Sequence, residues 1–180
     1  MKFSDTLYTI AEDNIGLITH AEAVRNGIQM RELRRWVQSG RLEKIARSVY
    51  RVANFPPSEF DRYAAAVETI GPEAYLFGES VLALLRLVPT NPTWIYVASP
   101  KRIRRSIGAN LKIIRGAPEY VFANYDGVRC QHLADAIRAC RGYVRPDRRV
   151  DAVREGVRQG YISKTDGNRL VKEIKEDAAS

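Results

Sequence analysis

Between Gly27 and Gly40 the chain reads IQMRELRRWVQS. Glycine is the residue best able to take the left-handed backbone that ends a helix. Two glycines at this spacing leave room for one short helix, from about Gln29 to Ser39. Just upstream, Thr19-x-x-Glu22 has the pattern of a capping box. There a hydroxyl accepts from an orphan N–H while the carboxylate reaches back to the cap. It predicts a two-turn helix from His20 to Asn26, closed by Gly27. Helix, glycine turn, helix is the shape of a helix-turn-helix. Downstream, RLEKIARSVYRV predicts two short strands, Arg41–Ala46 and Val49–Val52, joined near Arg47-Ser48. Their β-branched and aromatic content carries that reading. Upstream, Leu7, Ile10 and Ala11 recur at helical spacing within Phe3 to Asp13, with Phe3 one turn earlier. Together these elements predict a winged helix-turn-helix over residues 1–54.

The helix between the two glycines divides into two stripes. At about 100° per residue, Met30, Leu33 and Val37 share an apolar stripe that packs on the preceding helices. Arg31, Arg35 and Gln38 share another, and Arg34 flanks it. Trp36 falls on the shoulder of the apolar stripe and reads as packing, as does Tyr50. In a major groove, arginine can fork onto guanine O6/N7 and glutamine onto adenine. Arg41, Lys44, Arg47 and Arg51 lie on the wing side, where contacts to phosphate fix register. Between Arg25 and Arg51 there are eight positive residues and two acids, Glu32 and Glu43. The candidate DNA-binding residues are therefore Gln29, Arg31, Arg34, Arg35, Gln38, Arg41, Lys44 and Arg47. For any one of these arginines, a solvated helix face competes as an explanation.

Composition narrows the class further. The formal net charge of +8 on 180 residues suits a polyanionic partner, a nucleic acid or an acidic membrane surface. Hydrophobic residues make up 45% and charged residues 28%, as in a folded soluble chain. No apolar run approaches the roughly 18 residues of a membrane span. The start, MKFSDTLYTIAEDN, lacks the apolar core of a signal peptide, so a cytoplasmic location is expected. Cys130 and Cys140 form no disulfide framework. With His20 and His132 as the only histidines, no zinc site is expected.

Beyond the proline-bearing break NFPPSEFDRY the pattern predicts an α+β domain over residues 55–180. A helix is expected over Glu59–Ile70, with Phe60, Tyr63, Ala64 and Val67 inward. Another is expected over Val81–Val88, capped by Ser80. A loop carries Pro89, Asn91 and Pro92. TWIYVAS and LKIIRG read as strands, and a strand or hairpin spans Tyr120–Cys130 with YDGV as its turn. Helices follow at His132–Cys140, Asp147–Gln159 and Ser163–Lys175, the last opened by Ser163-x-x-Asp166. Lys101, Arg102, Arg104, Arg105, Lys112 and Arg115 form a second basic patch with no acid between them. It suits a wider DNA footprint, an acidic partner, an RNA or a solvated loop.

Catalysis needs a convergent acid, base, nucleophile or metal. Cys130 and His132 are near neighbours, but a spacing of two is no motif. Glu173-x-Lys175 echoes the end of a nuclease signature, yet it falls in a terminal helical pattern. Pro146-Asp147 stands upstream only at a helix start. No enzyme activity, cofactor or metal is expected.

The N-terminal residues resemble the winged helix of the AbiEi-type antitoxin family. Matching elements are Gly16-Leu17-Ile18-Thr19, Gly27-Ile28, Gly40-Arg41-Leu42 and Val49-Tyr50-Arg51. The departure is Ser48, where the family usually has glycine. FGESVLALLRL, WIYVASPKRIRR and HLADAI are similar to segments in the second half of such chains. There Asp135 keeps the family's acid, while Gln131 and His132 replace its Arg-Thr pair. The resemblance implies the antitoxin of a type IV toxin–antitoxin pair. Its partners would be double-stranded DNA, as inverted repeats in its own operon, and a nucleotidyltransferase-like toxin countered without an obligatory stable complex. A regulator answering a ligand or partner, with no toxin, fits the same DNA-binding residues.

Overall fold

A computed structural model describes residues 3–90, 92–104, 107–108 and 110–179, with Phe3 and Ser4 described by their backbone alone. Asn91 of the expected loop and Arg105 of the second basic patch lie outside the described residues. The chain divides into two compact units. One is Met1–Pro72 with Asp126–Val128, and the other is Glu73–Tyr125 with Arg129–Ser180. The division falls after Pro72.

The first unit runs α1 (Phe3–Asp13), β1 (Leu17–Thr19), α2 (His20–Arg25), α3 (Met30–Gln38), β2 (Leu42–Ala46), β3 (Val49–Val52) and α4 (Asp61–Ile70). The three strands form an antiparallel sheet in the order β1-β3-β2. Helix-turn-helix plus a β2-β3 wing is the winged arrangement the sequence predicts. Its core joins Leu7, Ile10 and Ala11 of α1 to Ile18, Ala23, Leu33, Trp36, Leu42, Tyr50 and Val52.

The capping box at Thr19 is present. Glu22 N donates to Thr19 Oγ1 at 3.1 Å, and Thr19 N donates to Glu22 Oε2 at 2.8 Å. Thr19 Oγ1 also donates to Oε2 at 2.8 Å, and Asn14 Nδ2 donates to Oε1 at 2.9 Å. One carboxylate thus gathers donors from the end of α1 and from the β1–α2 junction.

Apart from residues 126–128, the second unit runs β4 (Tyr75–Leu76), α5 (Glu79–Leu84), β5 (Ile95–Ser99), β6 (Leu111–Arg115), β7 (Ala123–Tyr125), β8 (Val128–Cys130), α6 (Leu133–Ala139), α7 (Pro146–Arg158) and α8 (Lys164–Ala179). Its sheet has the order β6-β5-β4-β8-β7. β5 pairs parallel with β6 and antiparallel with β4, and β4 pairs parallel with β8. Mixed pairing with helices in blocks makes the chain α+β. The β7–β8 turn places Asp126 at φ 50° and Gly127 at φ 80°, both left-handed, as a tight hairpin turn requires. Ser163 opens α8 as expected: Asp166 N donates to its Oγ at 3.1 Å, and its hydroxyl donates back to Asp166 Oδ2 at 2.6 Å.

Two expectations fail in this unit. Ser80 does not cap α5. It is fully buried inside the helix, and its hydroxyl accepts from Tyr96 N of β5 at 2.8 Å. α5 also ends at Leu84 rather than Val88. Arg86 takes a left-handed φ of 52°, which turns the chain and lets Leu87 and Val88 bury beyond the helix. No helix among the described residues is long and apolar enough to cross a membrane.

Candidate nucleic-acid interface

The face of α3 is set by how the helix is started and stopped. Glu32 accepts from the backbone N–H of Gln29 at 2.9 Å, which offsets an orphan donor at the helix start. At the other end Gly40 takes φ 71°, and Arg41 N donates to Trp36 O at 2.9 Å, closing the last turn. The turn before α3 is built alike. Gly27 takes φ 76°, and Ile28 N donates to Ala23 O at 2.9 Å. Nothing lies within 4 Å of where a Cβ would stand at either glycine, so backbone conformation alone demands them.

Within α3 the buried residues are Leu33 and Trp36, with Val37 partly buried. Two readings need correction. Trp36 is a centre of the buried face, at 4% exposure, not a shoulder. Met30, expected inward, is 37% exposed. It is the first helical residue, where the helix projects past the core, and Ile28 of the turn is buried instead.

Opposite the buried face, Arg31, Arg34, Arg35 and Gln38 are all exposed. At about 100° per residue they fall within a sector roughly 100° wide. Arg34 therefore belongs to this stripe rather than flanking it. Gln29, at the N-cap, is exposed at its leading end. Arg41, Lys44 and Arg47 are exposed along the wing that follows. Among the described residues, Arg31, Arg34, Arg35, Lys44 and Arg47 form no ion pair. A guanidinium with no internal acid keeps its full donor set for an outside anion.

Arg51 is different. Its Nη2 lies 2.9 Å from Asp61 Oδ2, and the Asp61 side chain is 9% exposed. The same carboxylate accepts from Ser58 N at 3.0 Å, which caps the approach to α4. Arg51 therefore braces the wing against α4 rather than reaching for phosphate. At the wing tip Ser48 takes φ 62°. The residue where the resembling family usually has glycine is held in the conformation glycine accepts most readily.

The segment from residue 5 to 53 matches the sequence model of a family described as "Transcriptional regulator, AbiEi antitoxin". Residues 5–53 are thus similar to the regulator domain of AbiEi-type antitoxins. The matched residues take in nearly all of α1 and run through the whole wing. A comparison with curated proteins found no match.

Outside the matched segment, the second basic patch is partly committed to other contacts. Lys101 is ion-paired with Glu73. Lys112 Nζ sits 4.7 Å from the centroid of the Trp94 ring, a cation–π contact. Arg102, Arg104 and Arg115 are exposed. Residues weighed for catalysis are placed apart or engaged. Cys130 is fully buried while His132 is exposed at the cap of α6. Burial pushes the Cys140 thiol up to about 12, with Glu79 adding to the effect and Arg149 opposing it. Glu173 accepts from Arg138 Nε at 2.9 Å, and that hydrogen bond holds its carboxyl below the usual range.

Proposed function

We propose that this protein is the DNA-binding antitoxin of a type IV toxin–antitoxin pair. In this reading the winged helix occupies inverted repeats in its own operon and represses it. α3 enters the major groove with Arg31, Arg34, Arg35 and Gln38 toward base edges, and Gln29 leads. Arg41, Lys44 and Arg47 hold the flanking phosphates. The remainder of the chain counters a nucleotidyltransferase-like toxin.

One observation carries the DNA-binding part: a helix whose inner face anchors in the core while its outer face holds three arginines without internal partners. Leaving three like charges on two helical turns is unfavourable by itself, because neighbours at i,i+4 repel. A polyphosphate removes that repulsion. The antitoxin part is supported by the AbiEi match over residues 5–53.

The test is fluorescence anisotropy of the full chain on its own promoter and on a scrambled duplex of equal length. Promoter binding should exceed non-specific binding by at least about 10³-fold. Equal affinity for both duplexes would refute sequence-specific regulation. The antitoxin role is tested by co-expression with the product of the adjacent gene, where growth should be rescued.

A further inference from the structure

The second unit holds a charged group that neither reading uses. Arg149, on the first turns of α7, is 3% exposed. Its Nε donates to the carbonyl of Ile137 near the end of α6, at 3.1 Å. Among the described residues this is the one hydrogen bond of its side chain, and it forms no ion pair. Its two terminal nitrogens are left without a protein acceptor. A buried cation with no counter-charge is costly, so such groups normally sit beside an acid.

Arg149 lines a cleft of about 400 Å³. Arg141, Tyr143, Arg145 and Asp177 line it too. The two other arginines already have acids. Arg141 Nη1 lies 3.2 Å from Asp177 Oδ1, and Arg145 grips both oxygens of Asp147 at 3.1 and 2.9 Å. The uncompensated charge in the cleft is that of Arg149. Capping the end of α6 accounts for Nε but not for the terminal nitrogens.

We propose that this cleft binds the phosphoryl group of a small phosphomonoester, with Arg149 as its buried anchor. A phosphoryl group presents three acceptor oxygens and carries close to two negative charges at neutral pH. That matches a buried guanidinium fork with two further guanidiniums at the rim better than the two oxygens of a carboxylate do. Tyr143 at the rim is 82% exposed and offers a ring face on which a base can stack.

The experiment is calorimetric titration of the full chain at fixed ionic strength with AMP, ribose 5-phosphate, adenosine and acetate. Both phosphates should bind with saturation, and adenosine and acetate should not. A tighter AMP adds stacking on Tyr143, and equal affinities assign recognition to the phosphoryl group alone. Either result supports the proposal. Arg149→Lys should weaken phosphate binding at least tenfold, because it keeps a charge but loses the fork. Should that variant fail to fold, Ala178→Glu serves instead. Ala178 is exposed and lines the cleft, so a carboxylate there should abolish phosphate binding without disturbing the core. Absence of saturable phosphate binding, acetate binding equal to phosphate, or unchanged binding in the folded variants would each overturn the proposal.

Discussion

Lys44 and Arg47 offer the cleanest test of how the wing meets DNA. Both are exposed, and neither forms an ion pair among the described residues. Replacing either by alanine should therefore leave no stranded acid and change stability by less than about 0.5 kcal/mol. If each neutralises one phosphate, each contributes about 0.9 to the slope of log K against log salt. Raising salt from about 50 to about 200 mM should then shrink the gap between wild type and either variant by about 3.5-fold. For the double variant, two contacts give a shrinkage of about 12-fold over the same range. The assay is anisotropy on promoter and scrambled duplexes across four salt concentrations, with circular dichroism confirming the fold. The loss should be the same on both duplexes, since phosphate contacts carry no sequence information. A salt slope that matches wild type, or a loss confined to the promoter, would refute the reasoning.

Arg31→Ala or Arg35→Ala should instead cost about 1–3 kcal/mol on the promoter and relax preference at one base position, as read from a panel of single-base operator variants. Asp61→Ala should destabilise the protein by about 2–3 kcal/mol in urea melts. That is less than the roughly 3–5 kcal/mol of a fully buried pair, because the Arg51 side chain remains 21% exposed. Arg51→Met in the same chain should recover part of the loss, and no recovery would mean that the ion pair is not the cause. Ser48→Gly should raise stability by about 0.5 kcal/mol, the left-handed strain it removes being partly offset by glycine's entropy. A lower urea midpoint would argue against strain at the wing tip. Burial raises Cys140 from 9.0, and Tyr120 from 10.0, each to about 12. A raised value in the folded state means that the contribution is intact below the ordinary value and fades as pH climbs through the folded one. The urea midpoint should hold from pH 7 to 9 and fall between 9 and 12, while Cys140 should resist Ellman's reagent at pH 8 until the protein is unfolded.

What could be read from the residues in advance was local. Thr19 and Glu22, or Ser163 and Asp166, are partners three positions apart, so the pattern and the bond coincide. Gly27 and Gly40 marked helix ends because the left-handed conformation is written in the residue type. Period alone could not say where α3 begins, so Met30 was assigned to the core and Trp36 to its edge. Ser80 failed for a related reason. Serine suits an N-cap, and only the strand Ile95–Ser99 lying against it reveals its other use. Arg51 looked like a wing contact because Asp61 lies beyond the proline break, and a partner there leaves no periodic trace. β4 has two residues and exists through its neighbours in the sheet. Arg149 left one faint signal: a basic residue one turn before Val153, on the apolar side of its helix.

Glu22 adds to its capping box a residue that the capping pattern does not connect, Asn14 just past the end of α1. A single carboxylate serves the amide of Asn14 and both the amide and hydroxyl of Thr19. Changing Glu22 takes an acceptor from both Asn14 and Thr19, so the cost of that lone substitution exceeds the cost of any one lost bond. Such a knot makes drift costly one step at a time. Across descendants of this domain, Asn14, Thr19 and Glu22 should persist together or be replaced together. Lineages that lost the carboxylate should have turned all three positions apolar.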